Sequence, residues 1–192
     1  GFCLTGKMGL RRNLTAGEIV AQVRVMAHAL ALAGRRFNVV LMGMGEPLHN
    51  YHATMKALRI LSADCGLAVP MRRVTLSTVG VLPALARLAR EPIMPNLAVS
   101  LHATTEELRD RLVPVSRKYG LTDLIAACRR FPIKRRARIT FEYVLLAGVN
   151  DTMADVRRLA ALLDGMRAKV NVIPLNEAPG IPYRRPTDAR ID

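Results

Sequence analysis

Polar side chains and a glycine follow four of the strand-like segments of this sequence, at the point where each segment ends. Gly45 and Glu46 follow the first, where glycine permits close approach to the backbone and a carboxylate can accept hydrogen bonds from a cationic ligand. The other three are followed by hydroxyl, imidazole and amide groups, namely Ser77, Ser100 with His102, and Asn176. Groups of these types bind and orient a polar ligand. A hydrophobic core that only stabilises the fold does not require polar groups at four strand ends.

Each of these signals also has a simpler explanation when it is taken alone. A solvated glutamate in an ordinary turn accounts for Glu46 equally well, and Pro47 departs from the glycine-rich pattern that cradles a phosphate. Capping the next helix is the commoner role for a residue such as Ser77. A histidine at a strand end, such as His102, is more often a satisfied structural residue than a ligand contact. The spacing of single residues therefore leaves both explanations open.

The apolar pattern predicts that helices and strands alternate along the chain. Thr15 and Glu18 form a capping box that starts the first helix, whose apolar stripe comprises Ile19, Val23, Met26, Leu30 and Ala33 before Gly34 ends it. The strands are predicted at 37–42, 73–77, 96–101, 138–146 and 169–174, and the later helices at 53–62, 82–88, 106–112, 122–130 and 156–163. We expect residues 1–12 and the tail after residue 174 to be loops.

This order of elements predicts an α/β fold. Five strands separated by helices imply parallel βαβ units with right-handed crossovers. A partial or complete α/β barrel and a doubly wound sheet both fit, and periodicity does not choose between them. In either architecture, ligands bind at the carboxyl ends of the strands, so we expect the strand-end residues to face a shared site.

Composition and charge limit the class of function. The 192 residues are 51% hydrophobic and 23% charged, which suits one folded domain and excludes a disordered chain. Lys and Arg number 29 against 15 Asp and Glu, and the net charge of +14 favours a polyanionic partner, nucleic acid before membrane. Aromatic residues make up only 4%, which argues against a binder built on stacking platforms. Candidate phosphate contacts are Lys7, Arg11, Arg12, Arg184, Arg185 and the run 134–136, although a solvated loop explains that run at least as well.

The three cysteines are too few and too scattered for a disulfide framework, which is typical of a reducing cytoplasm. Cys128 shares a helical face with Leu121 and Leu124, which indicates a small core residue. Cys65 has no metal-ligand spacing to a partner. Cys3 lies in a glycine-rich basic loop, and its surroundings alone do not make it a metal ligand. No apolar run reaches the length of a membrane span and no signal sequence opens the chain, so we expect a cytoplasmic protein.

Eight segments of the chain, taken in order, resemble the signatures of one enzyme family. They are residues 2–7, 12–19, 42–48, 72–80, 100–103, 150–151, 173–176 and 190–192. The family is that of the radical-SAM methyltransferases of C2 of adenine in ribosomal and transfer RNA, the RlmN family. The resemblance implies a TIM-like (βα)6 radical-SAM barrel with parallel strands, here with the first βα unit and the flanking domains missing. Residues 1–192 would then be an incomplete radical-SAM core domain that begins inside the cluster-binding loop and ends before the C-terminal catalytic cysteine.

The resemblance also implies two cofactors, a 4Fe-4S cluster and S-adenosylmethionine. Cys3 matches the third cysteine of the family's CxxxCxxC motif, and the other two would precede Gly1. The positions that match the family's S-adenosylmethionine contacts are Gly45, Glu46, Ser77, Ser100, Leu101, His102 and Asn176. Among them, a backbone carbonyl and a carboxylate at Gly45 and Glu46 suit the ammonium group of the methionine part. The family's methyl-carrying and resolving cysteines match no residue of this chain, so no catalytic residue is assigned.

The activity implied by the resemblance is radical methylation of adenine C2 in 23S ribosomal RNA and in transfer RNA. Radical chemistry suits this carbon because C2 is not nucleophilic, and we expect the adenine to be flipped into the barrel mouth. We also expect an electron donor such as flavodoxin, and we expect the protein to be a monomer. Two alternatives stay open, a related enzyme that methylates C8 of adenine in 23S ribosomal RNA and a basic RNA-binding module without chemistry. We expect this chain alone to be inactive, because it supplies one of three cluster cysteines.

Overall fold

The five strands form one parallel sheet and lie side by side in their order along the chain. The computed structural model describes residues 2–32 and 34–191, so Gly1, Ala33 and Asp192 of the sequence predictions lie outside the described residues. The strands, in spatial order, are β1 (Val39–Leu41), β2 (Val74–Thr78), β3 (Asn96–Ser100), β4 (Ile139–Leu145) and β5 (Ala168–Pro174). A doubly wound sheet reverses its winding at a switch point, whereas this sheet winds in one direction only. The predicted α/β fold is confirmed, with the winding of an α/β barrel.

Helices connect the strands in the predicted alternation. The connecting helices are α3 (Tyr51–Ser62), α4 (Leu82–Leu88), α5 (Glu106–Leu112), α6 (Leu121–Arg130) and α7 (Met153–Leu163), with short 3-10 turns at Met71–Arg73 and Pro114–Arg117. The helix α2 (Ala16–Ala29) precedes β1. The predicted capping box of α2 is confirmed, because the Thr15 hydroxyl accepts from the Glu18 N–H and the Glu18 carboxylate accepts from the Thr15 N–H. β1 is shorter than the predicted 37–42, because its pairing with β2 runs only from Val39 opposite Val74 to Leu41 opposite Leu76.

Two short helices lie in segments that the sequence pattern predicts as loops, so that prediction is wrong there. They are α1 (Leu4–Lys7), near the start of the chain, and α8 (Asp188–Ile191), in the tail. Each is a single turn that buries no residue, stabilised by local bonds such as that from Ile191 N–H to Thr187 O at 3.1 Å. A turn without a buried face leaves no apolar periodicity in the sequence.

The predicted apolar stripe of α2 is only partly correct. Met26 and Leu30 are 54% and 58% exposed, while Ala16 and Ala27 are buried. The helix packs against α3 through a face that contains small alanines, and these allow a close approach. The buried face is therefore rotated from the one that hydrophobicity alone predicts.

The two faces of the sheet differ in character, because successive side chains of a strand point to opposite sides. Apolar residues point towards the helices and form the core, among them Val74, Leu76, Leu97, Val99, Ile139 and Phe141. The predicted core position of Cys128 in α6 is confirmed. On the other face, Ser100 of β3, Glu142 of β4 and Asn171 of β5 lie in register. In residues 2–32 and 34–191, no helix combines the length and apolar character needed to cross a membrane.

Candidate ligand site at the carboxyl ends of the strands

A cavity of about 600 Å³ opens at the carboxyl ends of the strands, at the edge where the sequence predicts a ligand. Six of the eight predicted site residues line it, namely Cys3, Gly45, Glu46, Ser77, Ser100 and His102. The other two, Leu101 and Asn176, do not. These residues come from the N-terminal segment and from the ends of β1, β2 and β3, so the parallel sheet brings together groups that are far apart in the sequence.

Glu46 joins the loop after β1 to the end of β2. Its Oε2 accepts from Val79 N–H at 2.8 Å and its Oε1 from Leu48 N–H at 2.9 Å. Gly45 has φ +84°, a left-handed conformation that strains any residue with a Cβ, and open space lies where that Cβ would be. The structure excludes the explanation of Glu46 as a solvated turn residue. The carboxylate is instead fixed at the cavity wall beside an accessible backbone.

Ser77 and Ser100 present hydroxyl groups to the cavity. Neither hydroxyl forms a hydrogen bond to another described residue, and α4 begins after Val81 without a side-chain cap. The hydroxyl that does bond locally is that of Thr78, which accepts from Gly80 N–H at 3.0 Å. Capping therefore does not explain Ser77, and both serine hydroxyls are available to a ligand.

His102 is buried in a strained backbone conformation with φ +59°. Its Nδ1 accepts from Val144 N–H at 3.1 Å, so the proton of the neutral ring lies on Nε2. Burial, aided by the nearby charge of Arg109, lowers its pKa to about 3. The ring also packs edge-on against Phe2, with 4.8 Å between ring centroids, and so connects the N-terminal segment to the sheet. His102 is thus both a structural histidine, bonded through Nδ1, and a residue of the cavity wall.

Asn150 holds the backbone of His102 in place, a role that the sequence prediction missed. Its Nδ2 donates to His102 O and to Val144 O, both at 2.8 Å, and its Oδ1 accepts from Leu146 N–H at 2.8 Å. The residue is 1% exposed. These three bonds tie the strained turn after β3 to the end of β4.

Leu101 and Asn176 lie outside the cavity lining. The Leu101 side chain is fully buried in the core because alternation along β3 turns it towards the helices, which leaves only its backbone near the site. Asn176 is exposed in the segment after β5, next to the buried Leu175. Their assignment as ligand contacts stays a prediction.

Cys3 lies at the cavity, exposed, immediately before α1. Lys7 of the same segment donates to Gly180 O, which fastens α1 to the tail. Cys65 and Cys128 do not line the cavity. Among residues 2–32 and 34–191, no group of three or more His, Cys, Asp or Glu side chains is arranged to hold a metal ion.

Two further residues near the site were missed by the sequence prediction. Glu142 lines the cavity and is 7% exposed. Arg109 of α5 is fully buried and its Nη2 donates to Val79 O at 2.7 Å and to Ser100 O at 3.3 Å. Burial lowers the Arg109 pKa to about 10. The alternation of Phe141, Glu142 and Tyr143 along β4 was the available signal for Glu142, while nothing in the local pattern of α5 indicates Arg109.

The basic run 134–136 lies at the opposite end of the sheet from the cavity, because it precedes β4. Arg167, which precedes β5, donates to the carbonyls of Ile133 and Lys134, both at 3.2 Å, and to that of Arg135. The run is thus part of a braced loop at the amino ends of the strands. Its position favours the solvated-loop explanation over contact with an RNA that enters the cavity.

The fold and the site define a parallel α/β sheet wound in one direction, with a cavity at its carboxyl edge that carries several polar groups and a cysteine. The sequence profile of the Radical SAM superfamily matches residues 1–160, and the chain belongs to that superfamily. A crystal structure of a radical SAM methyltransferase from Sphaerobacter thermophilus is similar over 100% of this chain and 56% of its own, with TM-score 0.94 and 53% identity. A domain of pyruvate-formate lyase-activating enzyme from Bacteroides vulgatus shares the fold, with TM-score 0.55 and 14% identity over 81% of this chain and 88% of its own.

Two curated relatives carry the name dual-specificity RNA methyltransferase RlmN. The protein of Syntrophobacter fumaroxidans is 50% identical over 99% of this chain and 55% of its own length. The protein of Geobacter sulfurreducens is 50% identical over 100% of this chain and 52% of its own. The predicted similarity to the RlmN family is confirmed. The chain spans about half the length of these curated relatives.

Membership of the superfamily implies a 4Fe-4S cluster and S-adenosylmethionine. The cavity fits the second of these, because its volume suits a nucleoside-sized ligand and its wall combines a fixed carboxylate with free hydroxyls. For the cluster, Cys3 is the one cysteine of the described residues that lines the cavity, and its assignment as a cluster ligand stays a prediction.

Proposed function

We propose that this chain is the core of an RNA methyltransferase that uses S-adenosylmethionine to methylate C2 of adenine in 23S ribosomal RNA and transfer RNA. The observation that carries the proposal is the common cavity of Gly45, Glu46, Ser77 and Ser100, with Cys3 at its edge. Relatives named as dual-specificity RNA methyltransferases, 50% identical over nearly the whole chain, support the choice of reaction. The net charge of +14 supports an RNA substrate.

In this proposal, Gly45 and Glu46 bind the methionine part of S-adenosylmethionine. The two backbone N–H groups that bond Glu46 fix its carboxylate before the ligand arrives, so little ordering accompanies binding. Each carboxylate oxygen retains lone pairs for an ammonium group. The Ser77 and Ser100 hydroxyls bond the polar groups of the nucleoside, and the Nε2–H of His102 is a donor of fixed orientation.

Cys3 is proposed as one cluster ligand, the other two coming from outside residues 1–192. When bound, the cluster supplies the electron that makes radical chemistry available, and adenine C2 needs such chemistry because it is not nucleophilic. The chain's own contribution is to hold the nucleoside beside Cys3. Two contacts fix the segment that carries Cys3, since Phe2 packs against His102 and Lys7 donates to Gly180 O. A flavodoxin-type electron donor, a monomeric protein and delivery of a flipped adenine to the mouth are parts of the same proposal.

The test is mass spectrometry of RNA nucleosides after reaction. The full-length protein, reconstituted anaerobically with iron and sulfide, is incubated with S-adenosylmethionine, a reductant and undermethylated 23S ribosomal RNA or transfer RNA. We expect 2-methyladenosine in both RNAs and none with a Cys3→Ala variant. Detection of 8-methyladenosine would overturn the assigned carbon, and binding of RNA with no methylation would favour a module without chemistry.

A further inference from the structure

Glu142 is a buried carboxylate that has no cationic partner among the described residues. It lies in β4 at 7% exposure, and the ion pairs of the described residues do not include it. Its Oε2 accepts one hydrogen bond, from Asn171 Nδ2 of β5 at 2.7 Å. Since burying a carboxylate is costly unless it is paired or well hydrogen-bonded, this arrangement needs an explanation in a chain with a net charge of +14.

The second oxygen of this carboxylate is directed to the cavity rather than sealed in the protein. Glu142 lines the cavity, while the buried polar atoms without partners in the described residues belong to Arg109 alone. Asn171 donates to Oε2 and so fixes the plane of the carboxylate. The unoccupied lone pairs of Glu142 therefore face the space in which a ligand binds.

The sheet register gives the level of Glu142 within the cavity. Glu142 pairs with Ser100 of β3, and Ser77 of β2 pairs with Ala98, one inward-facing position deeper. The Glu46 carboxylate lies at the end of β2, where it bonds Val79 N–H, and Glu142 lies on β4, two strands further along the sheet. At about 4.8 Å between neighbouring strands, the two carboxylates line different parts of the cavity.

We propose that Glu142, oriented by Asn171, accepts hydrogen bonds from the ribose hydroxyls of the bound nucleoside, with the Ser100 hydroxyl beside it. This inference rests on the proposed function, since it takes S-adenosylmethionine as the ligand and its methionine part as the group at Glu46. With the methionine part at Glu46, the ribose of the extended S-adenosylmethionine molecule reaches the level of β3 and β4. None of the positions that match the family's cofactor contacts is Glu142 or Asn171.

The chemistry of the carboxylate selects this group of the ligand. An ionised carboxylate only accepts hydrogen bonds, so the ligand must donate, and two vicinal hydroxyls match its acceptor sites. Carboxylates bind ribose hydroxyls in the same way in dinucleotide-binding folds. A phosphate on the ribose would be repelled, so the site selects an unphosphorylated ribose.

The test compares ligands that differ in one hydroxyl. Binding of S-adenosylhomocysteine and of its 2′-deoxy and 3′-deoxy analogues to the full-length protein is measured by calorimetry, a readout that needs no turnover. We expect the wild type to bind at least one deoxy analogue roughly tenfold or more weakly than the parent, because a site built to bond a hydroxyl rejects a ligand without it. In Glu142→Gln we expect this difference to shrink to about threefold or less.

Two further variants make the outcome decisive. Asn171→Ala, at an exposed position of edge strand β5, should also reduce the preference for the hydroxyl, and it tests the inference if Glu142→Gln folds poorly. Glu107→Gln, at an exposed position of α5, is the matched control and should bind like the wild type. If the wild type binds the parent ligand and both Glu142→Gln and Asn171→Ala keep the full preference for the hydroxyl, this inference alone is overturned. A wild type that binds no parent ligand overturns the proposed function and this inference together.

Discussion

The carboxylate of Glu46 accepts a hydrogen bond from Val79 N–H at 2.8 Å, across 33 positions of sequence. This bond joins the loop after β1 to the end of β2, and the second oxygen of Glu46 closes its own loop through Leu48 N–H. The residue therefore shapes the cavity wall before it meets any ligand. Its structural and binding roles can be separated by experiment.

Glu46→Gln should weaken both the fold and ligand binding. The amide replaces one acceptor oxygen with a donor, so one of the two backbone N–H groups loses its partner, at a cost of about 1–2 kcal/mol in the free energy of unfolding. The affinity for S-adenosylmethionine should fall about tenfold or more, because the charge opposite the ammonium group is lost. Urea unfolding and calorimetry measure the two effects. Unchanged affinity with reduced stability would mean that Glu46 is structural only.

His102 should make the fold sensitive to acid. Its pKa is lowered from 6.5 to about 3 by burial and by Arg109, so below pH 6.5 the unfolded chain binds a proton that the folded chain does not. The contribution of His102 to the free energy of unfolding is thus complete above about pH 6.5. It is lost as pH falls towards 3, by about 1.4 kcal/mol per pH unit. Urea unfolding of the apoprotein between pH 4 and 8 measures the slope.

The matched variants are His102→Asn, whose amide oxygen can still accept from Val144 N–H, and His28→Asn on the exposed surface of α2. His102→Asn should lose the slope and His28→Asn should keep it. A wild-type slope that survives in His102→Asn would assign the acid sensitivity to other groups.

Arg109 should stabilise the ends of β2 and β3. Arg109→Ala removes the donor to Val79 O and Ser100 O and empties a fully buried site, so we expect a loss of about 3 kcal/mol in the free energy of unfolding. Arg111→Ala, exposed on the same helix, should change it by less than about 0.5 kcal/mol. Equal effects of the two variants would contradict a role for the buried guanidinium group.

The two basic regions should differ in their effect on RNA. Arg11 and Arg184 are exposed. Ala147 N–H, just after β4, donates to Arg184 O at 2.9 Å, and the neighbours of Arg11, Leu10 and Arg12, line a pocket together with Gly45 and Glu46, so both segments lie at the carboxyl ends of the strands. Their double alanine variant should lower RNA affinity and reduce the slope of log affinity against log salt by about one for each lost phosphate contact. Alanine substitutions at residues 134–136 should lower RNA affinity and the salt slope less per residue. Filter binding across a salt series distinguishes them, and the reverse order would place RNA at the amino ends of the strands.

Much of the architecture follows from local signals in the sequence. The Thr15 and Glu18 capping box and the apolar runs of the strands mark their elements directly, because these features depend on neighbours within a few residues. The common cavity of Glu46, Ser77 and Ser100 follows from one further rule, that parallel strands end at the same edge.

What the sequence pattern misses depends on contacts between distant residues. The pairing of Glu142 with Asn171 is set by the register of two strands, and the buried face of α2 by how closely it packs against α3. Asn150 belongs to a segment that resembles a family signature, but its role becomes visible only when the turn at His102, 48 positions earlier, is placed beside it. None of these relationships leaves a periodic trace along the chain.

The central claim is that the cavity at the carboxyl ends of the strands binds S-adenosylmethionine. Its most direct measurement is equilibrium dialysis of labelled S-adenosylmethionine against the full-length protein and a Ser77→Ala, Ser100→Ala double variant. We expect one saturable site per chain in the wild type and an affinity reduced about tenfold or more in the variant, because two hydroxyl partners are lost. No saturable binding to the wild type, or equal binding to both proteins, would contradict the account.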